Sequence, residues 1–186
     1  MPPPKKAAKK AAKKAAKHIN PQQKQSKDLR RAFEHMGRIE GLAALMGAPD
    51  ADVVKLVKLA ERELQDGSAK NAAELLRASE HLVFASLASA QGQKAVSERL
   101  ESAIREEYEH LTRKAEEHRA ASESVNAAVA SIVKKSAKGA ADAMKRQAFR
   151  QALELIRASE ALSHVDGDGV AKLGAGRTQD ALARAS

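Results

Sequence analysis

The 186-residue sequence has no cysteine and no tryptophan, one tyrosine (Tyr108) and three phenylalanines (Phe33, Phe84, Phe149). Without cysteine there is no disulfide framework, no thiolate nucleophile and no Cys-ligated zinc. With so few aromatic residues, packing must rest on Leu, Val and Ala. That suits close-packed helices and argues against a β-sandwich or barrel, which draws on β-branched and aromatic residues. No apolar run approaches the roughly 20 residues that a membrane-spanning helix needs. The lysine-rich start has no apolar segment after it, unlike a secretory signal. It also has no Arg or Ser before residue 26, unlike a transit peptide. A cytoplasmic protein is expected, with nucleoid association as a further expectation.

Acid is missing from one place in particular. Residues 1–27 hold nine lysines and no Asp or Glu, while the whole chain carries a net charge of +9. The remaining residues therefore balance. The high basicity belongs to a leader, and it gives no ground for reading the body as a nucleic-acid binder.

What the sequence does have is a segment written twice. "ELLRASEHL" at 74–82 and "ELIRASEAL" at 154–162 agree at seven of nine positions, eighty residues apart. Leu75, Leu76, Ser79 and Leu82 match Leu155, Ile156, Ser159 and Leu162, all on one helical face. The small serines, flanked by larger residues, would let a neighbouring helix approach closely. Glu74, Arg77 and Glu80, like Glu154, Arg157 and Glu160, lie to the side and can form i,i+3 pairs. Duplication of a helical unit and independent arrival at one amphipathic pattern both account for the match.

Periodicity predicts an all-α body of five or six helices, packed as antiparallel hairpins, over residues 27–164. Ser26 caps a first helix to about Met46, with Leu29, Phe33, Met36, Leu42 and Leu45 as its apolar face. A second helix starts near Asp50 or Asp52, carries Val53, Leu56, Val57, Ala60 and Leu64, and stops at Gly67. Ser68 caps a third over 69–91, closed by Gly92. Residues 93–138 contain no Gly or Pro. As one helix they would run about 70 Å, too long for a small globule, so a break is expected at 119–124 with Ser122 or Ser124 as cap. The alternative is a protruding arm that pairs as a coiled-coil homodimer through 93–138. Gly139 then opens a last helix over 140–164. Residues 1–26 read as a disordered Lys/Ala-rich tail. Residues 165–186 read as a flexible Gly-rich tail, with a short helix near 178–185 at most.

Two resemblances follow from these residues. The alternating Lys-Lys-Ala-Ala run (Lys5, Lys6, Lys9, Lys10, Lys13, Lys14, Lys17) resembles the tails of linker-histone-like proteins. Such a tail binds DNA or RNA through phosphates, releasing condensed counterions. With all seven lysines engaged, log affinity falls with log salt at a slope of about −6. No aromatic side chain is there to stack on bases and no Arg fork to read them, so binding is sequence-independent. An anionic lipid surface and a simple solubilising spacer are the competing readings. The second resemblance is to a tetratricopeptide helical hairpin, best over 56–79: Leu56, Leu59 and Ala60 on one helix, Gly67 at the turn, then Ala72, Leu76 and Ser79. The second copy keeps Phe149, Ala152, Ile156 and Ser159, with Gln147 in place of the turn glycine. The resemblance implies a groove that binds a segment of another, unknown protein, although a spacing of eighty does not make a tandem array of 34-residue units.

The remaining motifs are thin. Arg105-x4-His110 and Arg113-x4-His118 resemble the Arg-x4–6-His element of HEPN domains, which include metal-independent ribonucleases. That resemblance implies His as acid/base and Arg as phosphate stabiliser. Glu106 beside the first Arg would repel RNA, and the bland alternative is a set of exposed residues on a charged helix. Glu107-x-x-His110 has di-iron spacing, but no second Glu-x-x-His accompanies it. "DGDG" at 166–169 lacks the rest of a calcium loop. No cofactor or metal is expected. The favoured reading is a non-enzymatic helical interaction module with a nucleic-acid-binding arm. The alternatives are a HEPN-like ribonuclease and a coiled-coil scaffold.

Overall fold

A computed structural model describes residues 21–46, 49–92, 97–123 and 126–166. Among them are six α-helices and no strand: α1 (Pro21–Met46), α2 (Ala51–Gln65), α3 (Ala69–Ala90), α4 (Glu98–Glu123), α5 (Ala127–Lys145) and α6 (Phe149–Ser163). The all-α class and the hairpin architecture are as the periodicity requires. The Lys/Ala run and the tail beyond Asp166, including the short helix expected at 178–185, lie outside the described residues.

Local chemistry sets most of the boundaries. Asp50 Oδ1 accepts the Asp52 N–H at 2.8 Å and starts α2. Asn126 Oδ1 does the same for Ala128 at 2.8 Å and starts α5. The break in 93–138 therefore falls just beyond the expected 119–124: α4 continues through Glu123, and Asn126 supplies the cap in place of Ser122 or Ser124. The single long arm does not form, because α4 and α5 fold back onto α6 as separate helices. At α1 the helix begins five residues before Ser26, with Pro21 at its first position, where a missing N–H costs nothing. Ser68 precedes α3 but makes no side-chain cap bond.

The turns after α2 and α5 are the same turn, eighty residues apart. Gly67 has φ of 82° and Gln147 has φ of 60°. The Ser68 N–H donates to Glu63 O at 2.7 Å, and the Ala148 N–H donates to Ala143 O at 2.9 Å. Gly67 donates to Leu64 O at 3.2 Å, and Gln147 to Met144 O at 3.0 Å. This is the Schellman arrangement, whose pivotal residue adopts the left-handed conformation. Gly139, a break by the sequence pattern, lies inside α5 instead. A side chain there would come within 3.2 Å of Leu155 Cδ1, so this glycine serves the close approach of α5 to α6. The last helix accordingly begins at Phe149.

The contacts build two similar units. In the first, α1 and α2 pack on α3; in the second, α4 and α5 pack on α6; α3 then packs on α6. Burial repeats with the same interval: Val53 and Val133, Ala60 and Ala140, Ala72 and Ala152, Leu76 and Ile156, Ser79 and Ser159 are all buried. Each fully buried Leu or Ile contributes about 1.5–3 kcal/mol. The pairs Asn71–Asp166, Arg77–Glu160 and His81–Glu154 ascend α3 and descend α6, so these two helices are antiparallel. That register sets Ala78 and Ser79 opposite Ala158 and Ser159, all at 1% exposure or less. The repeated "RAS" is thus where the two units meet at closest range, and small residues let the helices meet.

Two expectations about faces need correction. Leu29 and Phe33 point outward, at 40% and 58% exposure, while Asp28, Ala32 and Ile39 form the buried face of α1. The stripe is rotated by one position at the start of α1 only, since Met36 and Leu42 pack against the core as expected, and buried Asp28 is neutralised by Arg31 at 3.7 Å. Val165, assigned to the tail by its glycine-rich surroundings, is buried in the core. Asn71 holds it there: its Oδ1 accepts the Asp166 N–H at 3.0 Å and its Nδ2 donates to Asp166 O at 3.1 Å.

Candidate functional site

The repeated segment carries its charge inward. Glu74, Glu80 and Glu160 are each less than a tenth exposed. The predicted i,i+3 pairs exist, Arg77 with Glu74 at 3.4 Å and Arg157 with Glu154 at 3.0 Å. They are part of a larger network, because α3 and α6 have neighbours on several sides. Arg77 reaches across to Glu160. Arg31 and Arg38 come from α1 to Glu74 and Glu80. His35 Nδ1 lies 2.5 Å from Glu80, His81 Nδ1 2.7 Å from Glu154, and His164 Nε2 2.9 Å from Glu160. Burial alone would raise a carboxyl pKa. At Glu80 this largest effect is outweighed by the hydrogen bonds from His35 and Arg38, and the pKa falls below the ordinary value. At Glu154 burial is likewise outweighed, by His81 and Arg157. The network is a seam of ion pairs that joins the units, within which the buried Glu74 Oε2 and Arg77 Nε make no hydrogen bond.

The Arg and His residues singled out on α4 do not converge. Residues five apart on an α-helix differ by about 140°, so Arg105 and His110 face different ways, as do Arg113 and His118. Arg105 donates to Glu101 at 2.7 and 3.0 Å and lies 5.5 Å over the Phe149 ring. His110 and Arg113 are exposed, and Arg113 borders a shallow groove with Tyr108, Glu109 and Thr112. His118 packs its ring 4.7 Å from that of His164. Among the described residues, no group of three or more His, Asp and Glu is arranged to hold a metal ion. None of the described helices is long and apolar enough to cross a membrane.

Charge is unevenly shared between the units. Residues 127–150, which form α5 and its turn, have six basic side chains and one acid. The matching residues 47–70 have four basic and five acidic ones. Lys135 reaches back to Asp52 on α2; the hydrogen bond raises the Lys135 pKa and lowers that of Asp52. A cavity of about 460 Å³ opens between the end of α3 (Ala88 to Gly92) and the α5–α6 turn, where Arg146, Gln147, Phe149 and Arg150 line it.

Sequence reasoning missed His35 and His164 as partners of buried carboxylates and His81 as the partner of the half-buried Glu154. They lie 45, 73 and 4 residues from those partners, so only the short separation in α6 left a trace in the sequence. The fold and the seam together define an all-α protein of two similar three-helix units joined back to back. Comparison with protein families, curated proteins and solved structures gives no match.

Proposed function

We propose that the protein is a non-enzymatic helical interaction module whose N-terminal arm binds nucleic acid without sequence specificity. One observation carries this reading: seven lysines within residues 5–17, with no acid, aromatic or Arg among them. Such a segment contributes affinity through counterion release and offers nothing to read a base edge. The body supports the module half of the reading. Its conspicuous polar groups are engaged with one another in the seam, and two of its exposed apolar side chains, Leu29 and Phe33 on α1, present a face to a protein partner.

Deleting residues 2–17 should abolish salt-sensitive retention on DNA or RNA columns, and unchanged retention would refute the arm. The ribonuclease alternative is checked separately. Replacing His110 and His118 with Ala should alter no RNA-cleaving activity of the purified chain; loss of such activity would favour a catalytic role. Sedimentation at several concentrations tests the dimeric scaffold.

A further inference from the structure

We propose that the cavity of about 460 Å³ at the start of α6 docks an acidic peptide segment, held by Arg150 and Gln151. This site rests on the module reading for the existence of a protein partner, and not on the arm. The first unit shows how such a segment is held. At the start of α3, Lys70 pairs with the Asp166 carboxylate. Next to it, Asn71 brackets the Asp166 backbone: its Oδ1 accepts the N–H at 3.0 Å and its Nδ2 donates to the carbonyl at 3.1 Å. Val165, one residue earlier, is buried. A non-helical segment with an apolar residue followed by an acid is thus bound by a cation and a carboxamide that are neighbours in the sequence.

Eighty residues on, Arg150 and Gln151 repeat that pair at the start of α6, and both line the cavity. The acid is not repeated. Its counterpart is Ser86, inside α3, which continues to Ala90. Among the described residues the side chains of Arg150 and Gln151 have no partner, whereas Arg146 beside them is engaged and is left out of the site. Asn71 also donates to the buried Glu63 at 3.0 Å; the counterpart of Glu63 is Ala143, so Gln151 keeps both amide hydrogens for a ligand. A guanidinium grips a carboxylate through two parallel bonds, and a carboxamide pairs with a backbone N–H and a carbonyl at once. No acid is among the described residues that line the cavity, so its charge complements an acidic segment. On the α3 side the wall is Ala88, Ser89 and Gly92, small residues that leave room for a peptide. The volume falls in the roughly 300–1,000 Å³ range of ligand pockets.

The test follows the amide resonances of the full, isotope-labelled chain during titration with the capped hexapeptide LSHVDG, the sequence of residues 162–167. Shifts are expected at Phe149, Arg150 and Gln151. Arg150→Gln and Gln151→Leu should each weaken binding about tenfold, as should Asn in place of the peptide's Asp. Lys70→Gln should leave the affinity unchanged, and circular dichroism should show parental helicity for each variant. No shift at millimolar peptide, or equal affinity for the Asp and Asn peptides, would overturn the site. So would shifts confined to Asn71 and Asp166, where the peptide merely exchanges with the chain's own segment. A DNA duplex that shifts Gln151 when the peptide does not would overturn it in favour of nucleic acid. Shifts confined to Leu29 and Phe33 would remove this site and leave the module reading in place. Deleting residues 2–17 should not change peptide binding, which separates the site from the arm.

Discussion

Arg77 of α3 and Glu160 of α6 are paired across the junction of the two units, and both belong to the segment that the sequence repeats. A motif read along one helix as an amphipathic stripe is, in space, a contact between its two copies. Among the described residues, removing Arg77 leaves Glu160, 8% exposed, with His164 as its remaining ion-pair partner. Arg77→Met should therefore destabilise by about 2–3 kcal/mol in urea unfolding. Adding Glu160→Met should recover part of that loss, with a coupling on the order of 1–2 kcal/mol in the double-mutant cycle. Strict additivity would refute the pairing.

Acid should loosen the seam. Glu80 and Glu154 have folded-state pKa values below the ordinary 4.5, and Asp52 lies below 3.8. A depressed carboxylate contributes its full stability above its unfolded pKa and loses it as pH falls through the folded value. The contribution of these carboxylates should thus be complete at neutral pH and decline below about 4.5, where they take up protons. Glu80→Gln, which removes a titrating group, should flatten that decline in urea titrations at stepped pH.

Gln147 stands where the first unit has Gly67. A side chain in the left-handed region costs about 1–2 kcal/mol, and glycine returns part of that as unfolded-chain entropy. Gln147→Gly should raise stability by about 0.5–1 kcal/mol, and Gly67→Ala should lower it by about 1 kcal/mol. Thermal melts of both variants, read against the parent, check the signs.

The paired serines are not equivalent. Ser79 Oγ donates to Leu75 O at 2.9 Å, whereas Ser159 Oγ is buried and has no hydrogen-bond partner among the described residues. Desolvating an unpaired hydroxyl costs about 1–3 kcal/mol. Ser159→Ala should therefore stabilise by about 1 kcal/mol, while Ser79→Ala should be neutral or mildly destabilising. The same effect at both positions would contradict the asymmetry.

The sequence by itself determined the class and most of the punctuation. Composition excluded a β core, the apolar stripe of α3 was readable at Ala72, Leu75, Leu76 and Ser79, and Gly67 and Gly92 ended helices as glycines do. These are local properties, set by backbone conformation and by which face of one helix is apolar. Tertiary structure decided the rest. Gly139 reads as a stop until Leu155 is seen beside it, and Gln147 reads as helix until its positive φ is seen. Leu29 and Phe33 read as core because nothing local says that α1 buries the adjacent stripe. Glu74, Glu80 and Glu160 read as surface because a carboxylate is buried only where partners from distant segments meet it: Arg31, Arg38 and His35 from α1, and Arg77 across the seam. Pattern along a chain encodes which side of a helix is apolar. It does not encode how many neighbours that helix will have, and in this protein that number turned a polar flank into an interior.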